Sequence, residues 1–207
     1  GRVVTMTRSV IALDITVTTV SIARIAEGED TPSTGLIVAP PSGKDYSLAA
    51  TRSRTDTTAE MVLDAVLSKG LPTLVVMSKL TLGDMNRDPS GGRRAALWWS
   101  VVTKLLDAEI PVSELATATA QKWMTGHGAV GNRGYAALDR AVRDTWPSVR
   151  DRGEMYRMST VVLAAAGAAV AGIPTAVPCT DARLKALSPM VLPSGWRLPE
   201  TTKSEVA

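Results

Sequence analysis

Apolar and polar positions along the chain change period several times, and each change marks an element. From Ser9 to Ala26 (SVIALDITVTTVSIARIA) short apolar runs flank one acid, Asp14, which predicts two strands in a hairpin over residues 10–26. Glu27–Thr34 is a turn, Leu36–Ala39 a third strand, and the Pro- and Gly-bearing stretch Pro40–Asp56 a loop. A helix is expected over about Thr58–Lys69, capped by Asp56 or Thr57, with Met61, Val62, Ala65 and Val66 on its core face. Gly70 and Pro72 end it. Leu74–Met77 is apolar throughout, as a strand buried on both faces should be. After a loop at Lys79–Gly92 comes a long helix, about Arg93–Asp107, then a short strand at Ile110–Val112 and a short helix at Ala118–Trp123. The glycine-rich Gly126–Gly134 is a loop, Tyr135–Thr145 a helix, and Gly153–Ala171 a final Ala-rich helix stopped by Gly172 and Pro174. From Pro189 the pattern fades, and residues 189–207 are expected to be an extended, partly disordered tail to a domain of residues 1–188. Strands alternating with helices in this order predict an α/β three-layer fold on a mixed sheet.

Composition narrows the chemistry. The 207 residues are enough for one domain with a sizeable core. One Cys (Cys179) and one His (His127) exclude an intrachain disulfide and argue against zinc, so any metal would be a hard cation held by carboxylates. A net charge of +3 is compatible with nucleic acid without demanding it. The apolar run at 160–174 is too short to span a bilayer, and no secretory signal opens the chain. The expectation is a soluble protein, cytoplasmic in a host cell or virion-associated. Because Gly1 is not an initiator, the chain is expected to have been processed, trimmed or tagged.

Asp14 is the residue that demands explanation, since a carboxylate at the end of a buried strand is costly without a partner. The segments LWWSVV (97–102), IPVSEL (110–115), QKWMTGHG (121–128), the pair Trp146-Pro147, LAAAGAAVAGIP (163–174) and ARLKAL (182–187) stand in an order and spacing that resemble a phage-type RuvC-like Holliday-junction resolvase. The resemblance covers roughly residues 9–190 and implies the RNase H-like fold. Such resolvases use four acidic positions to hold two divalent ions across a scissile phosphate. On that alignment Asp14 holds the first position, while Ser78, Tyr156 and Ser159 occupy the other three.

The resemblance therefore implies a pseudo-nuclease in which Asp14 is a relic, with no bound metal. Its expected role is structural or binding: a homo-oligomer or part of a larger protein assembly, possibly holding DNA. An active Mg-dependent endonuclease is the alternative, with Asp151 and Glu154, or Asp84 from the loop, supplying the missing acids. Asp151 and Glu154 otherwise read as first-turn acids favoured by the helix dipole. A third reading is a modulator that competes with an active resolvase or host nuclease.

Lys122, His127 and Arg133 fall where resolvases meet the phosphate backbone, and Arg140 and Arg143 share one helix face. With Arg150, Arg152 and Arg157 they form the densest basic cluster, interleaved with acids and read as a mixed, solvated face. Trp98 and Trp99 are adjacent, so a helix sends them about 100° apart and only one can enter the core.

Overall fold

A computed structural model describes residues 7–84, 86–127 and 132–200. Five strands form one mixed sheet in the order β3-β2-β1-β4-β5: β1 (Ser9–Ile15), β2 (Thr19–Ala26), β3 (Ser33–Val38), β4 (Leu74–Ser78) and β5 (Val112–Leu115). The β1–β2 and β2–β3 pairs are antiparallel; β4 and β5 run parallel to β1. The helices are α1 (Leu48–Leu67), α2 (Gly91–Asp107), α3 (Thr117–Thr125), α4 (Asn132–Thr145), α5 (Arg157–Val170) and α6 (Asp181–Ala186).

The period-2 pattern of the strands sorts the core into two halves. Val10 and Ala12 of β1 and Leu74 and Val76 of β4 join α3, α4 and α5 on one face. Ile11, Leu13 and Ile15 with Val75 and Met77 join α1 and α2 on the other. Both central strands are thus buried on both sides, and the three-layer α/β fold follows.

Helix α5 is buried nearly all round, which its Ala-rich sequence permits by letting it lie close to the sheet. The closest approach is at Gly167, where a Cβ would stand 2.5 Å from Val76 Cγ2 and 2.7 Å from Val10 Cγ1. At the far end of α5, Arg8 donates to the carbonyls of Ala171 and Gly172 while pairing with Glu27.

Several expected boundaries move. Helix α1 starts at Leu48, not Thr58, and its cap is Ser47, whose Oγ accepts the Ala50 N–H at 3.2 Å. Asp56 and Thr57 lie inside the helix, so the expected loop ends earlier. Strand β3 begins at Ser33 within the expected turn. Helix α4 begins at Asn132, so Arg133 is helical; Gly128–Gly131 of the expected loop lie outside the described residues.

Helix α5 begins at Arg157, not Gly153. Gly153 is left-handed (φ 73°) and donates its N–H to Asp151, which makes that stretch a turn. Asp151 and Glu154 therefore precede the helix and are not acids of its first turn.

The segment after α6 is extended but docked. Val191 exchanges both backbone hydrogen bonds with Glu114 of β5, at 2.9 and 3.0 Å, and Met190 is buried. Leu192, Trp196 and Leu198 pack against the α5 side of the core. Residues 201–207 lie outside the described residues.

Candidate functional site

Strands β1 and β4 are parallel and end together, with Leu13 opposite Met77, so Asp14 and Ser78 emerge side by side at the carboxyl end of the sheet. In open α/β sheets that edge is where ligands bind. The Ser78 hydroxyl is close enough to the Asp14 carboxyl to favour its charged form, and it lies 3.4 Å from Thr117 Oγ1 of α3. The Ser78 carbonyl accepts the Trp98 indole N–H at 2.9 Å, which ties the end of β4 to α2.

Tyr156, just before α5, stands close enough to Asp14 for that charge to raise its pKa, after the larger effect of its own burial. It therefore stays a neutral phenol. Arg94, in the first turn of α2, supplies the positive charge felt by both groups. Burial outweighs the Ser78 hydroxyl and the Arg94 charge, and pushes the Asp14 carboxyl up to about 6.

Of the four positions singled out in sequence, the structure brings Asp14, Ser78 and Tyr156 together. The Ser159 hydroxyl instead donates to the Tyr156 carbonyl at 3.1 Å, and the Thr16 hydroxyl, another conceivable partner of Asp14, bonds Thr19. Arg94 was missed in sequence. Its signal was faint: a basic pair, Arg93-Arg94, at a helix start, where cations are unfavourable. Its guanidinium bonds the Thr81 carbonyl (2.8 Å) and Asp88 (2.9 Å), which orients the loop after β4.

The alternative acids have other partners, and none of them is among the groups acting on the Asp14 carboxyl. Asp151 accepts the Gly153 N–H, and Glu154 pairs with Arg157 at 2.5 Å; Asp84 pairs with Arg87. Arg157, expected on a solvated face, is only 5% exposed and also bonds the Thr34 hydroxyl of β3, since the turn at Gly153 folds it under the sheet edge.

Two divalent ions do not fit this donor set. A Mg²⁺ pair is usually anchored by several carboxylates between the two ions, and Asp14 is accompanied by neutral hydroxyls and a guanidinium. Among the described residues no group of three or more His, Cys, Asp or Glu could hold a metal.

The basic residues expected to meet a phosphate backbone are on the surface, and α4 starts near the site, since Tyr135 acts on the Tyr156 phenol. Lys122, His127, Arg133, Arg140 and Arg143 are exposed on α3, α4 and the segment between them, with Arg143 paired to Asp139. No helix among the described residues is long and apolar enough to cross a membrane.

A search of solved structures finds RuvC. A Thermus thermophilus RuvC structure aligns at TM-score 0.56 and 15% identity, covering 89% of this chain and 99% of that one. T. thermophilus RuvC in complex with a Holliday junction substrate aligns at TM-score 0.55 and 14% identity, covering 76% and 90%. The fold is RuvC-like. No protein-family model matches the chain, and no curated protein matches it in sequence. On the RuvC-like fold, Asp14 stands at the end of the first strand, where the sequence resemblance set the first acidic position.

Proposed function

We propose that this RuvC-like protein holds DNA without hydrolysing it. The observation that carries the reading is the company of Asp14 among the described residues: Ser78, Tyr156 and Arg94, in place of further carboxylates. A single carboxylate is too few ligands to anchor two metal ions, which leaves the protein without the pair that would activate water and stabilise the leaving oxygen. Binding does not need those acids, and the solved RuvC complex with a Holliday junction is a complex of the same fold.

The phage origin rests on the motif resemblance, which suits a protein working in an infected cell or carried in a virion. Incubating the protein with a labelled four-way junction and Mg²⁺ or Mn²⁺ tests the proposal. Retarded but intact junction is expected; symmetric nicks that disappear in Asp14→Asn would establish the displaced-acid nuclease instead.

The protein also acts as a homo-oligomer on this reading. Trp98 is buried, whereas Trp99 is 59% and Leu106 55% exposed on α2, two turns apart and so on one face. Light scattering should give a mass above 21.8 kDa that falls toward it in Trp99→Lys. A monomeric mass for the unaltered protein would remove the self-association part.

A further inference from the structure

The groove onto which Arg94 and Tyr156 open is more basic than anything the sequence pattern singled out. It has a volume of about 840 Å³ and runs between the β1–β2 turn, the segment after β3 and the start of α2. Arg54 of α1, Arg93 and Arg94 all line it, and no acidic residue does. Among the described residues no ion pair engages Arg54 or Arg93; Arg94 alone has one, with Asp88.

Two of these cations sit in the first turn of α2, which has no acid there and whose cap residue Ser90 spends its hydroxyl on Asp88. Like charges gathered against the positive end of a helix cost stability; Asp88 offsets Arg94 there, while Arg93 has no ion pair among the described residues. Past Arg54 and Arg93 the groove continues into a second hollow of about 430 Å³ bordered by Lys44 and Tyr46. The one acid there, Asp45, accepts the Ser47 N–H. Tyr46 is 79% exposed.

Resting on the reading that this fold holds DNA uncut, the geometry points to a metal-independent phosphodiester track for a single strand. Arg94, Arg93 and Arg54 take successive backbone phosphates, and Tyr46 stacks an unpaired base at the far end. The arginines supply in fixed form the positive charge that divalent ions would otherwise bring to a phosphate beside Asp14. A guanidinium suits this because it presents a planar fork of donors to phosphate oxygens. The exposed tyrosine argues for single-stranded over duplex DNA, because a paired base has no free face to offer.

The test is anisotropy of a fluorescein-labelled oligothymidylate with the whole chain, in EDTA and then in Mg²⁺ at matched ionic strength. Binding in EDTA, unchanged within about two-fold by Mg²⁺, is expected. The affinity should fall with salt at a log–log slope of about −2 for three phosphates on a single strand. Arg93→Glu should weaken binding roughly ten-fold or more and flatten that slope, and Tyr46→Ala should weaken it by about ten-fold. Both side chains are exposed, so neither change threatens the fold.

Lys185→Glu, on α6 and with the same change in net charge, should bind as the unaltered protein does. Binding that needs Mg²⁺, equal losses in Arg93→Glu and Lys185→Glu, or no binding at all would overturn the track. An acidic peptide that binds while the oligothymidylate does not would overturn it too. Failure here leaves the non-cutting proposal standing with DNA on another face, whereas junction cleavage would sink that proposal and leave the track intact.

Discussion

Replacing Gly167 by alanine should destabilise the protein by about 2 kcal/mol, although the same change in most helices is favourable. Two effects oppose each other. Alanine has the higher helix propensity, worth about 1 kcal/mol. Against it, the new methyl would meet Val76 and Val10 at 2.5 and 2.7 Å, and neither neighbour is the end of a flexible chain. Both valines are fully buried and belong to the two central strands, so either the sheet or α5 must shift. Overpacking of this kind costs about 1–3 kcal/mol per site, and two simultaneous overlaps put this one at or above the top of that range. Thermal unfolding followed by circular dichroism should show a midpoint about 4–8 °C lower. Gly167→Leu should lose considerably more. Gly167→Ala combined with Val76→Ala should cost less than the sum of the single changes, because the sites share one contact. A raised midpoint in Gly167→Ala would mean that propensity outweighs packing and that α5 does not press on the sheet as described.

Asp14→Asn should stabilise the protein at neutral pH, and the gain should vanish in acid. The Asp14 carboxyl has its pKa raised to about 6 by burial, from an unfolded value of about 3.9. Between those values the folded state binds the extra proton, so stability falls as pH rises. Its contribution is fully present below about pH 4 and lost above about pH 6. Asparagine keeps the shape and is neutral at every pH, which spares the protein the buried charge. Allowing for partial exposure, the difference at pH 7.5 is on the order of 2 kcal/mol, or about 4–8 °C in midpoint. Melting curves of both proteins from pH 3.5 to 8 give the measurement; parallel curves would refute the assignment. Repeating them with millimolar Mg²⁺ connects stability to function. A metal held at Asp14 would lower its pKa and close the gap, whereas the donor set found here predicts a gap that Mg²⁺ leaves open.

The parts of the fold legible in sequence were those where hydrophobic burial alone decides structure. Leu74–Met77 reads as a strand covered on both faces and Asp14 as an acid near the end of a strand; that the two strands lie side by side is seen only in the structure. The start of α1 was hidden because residues 48–57 carry almost no apolar periodicity. That end of the helix is held by the Ser47 cap and bears polar residues outward. The start of α5 was misplaced because Gly153 sits inside a helix-like pattern, and only its left-handed backbone shows that the chain turns there.

The site was legible in its acid and illegible in its cation. Asp14 announces itself by interrupting an apolar run, whereas Ser78 was reached only through the resemblance, which set it where a resolvase carries an acid. Arg94 reaches them only through the loop that Asp88 and the Thr81 carbonyl anchor, a path no local spacing encodes. Arg157 looked like one more surface arginine because its burial depends on β3, which is remote in sequence.

The docking of Val191 on Glu114 bears on how copies of the chain behave toward one another before they are fully folded. A sheet of five strands has two borders, and each is a template for illegitimate pairing. On one border β5 has its outward backbone groups at Glu114 already satisfied by the segment after α6. On the other, the first half of β3 carries Ser33, Thr34 and Gly35, a poor surface for runaway stacking, while Leu36 and Val38 beyond them stay exposed. The segment around Val191 thus acts as a sealing strip, and its loss would be felt first as insolubility rather than as a change at Asp14.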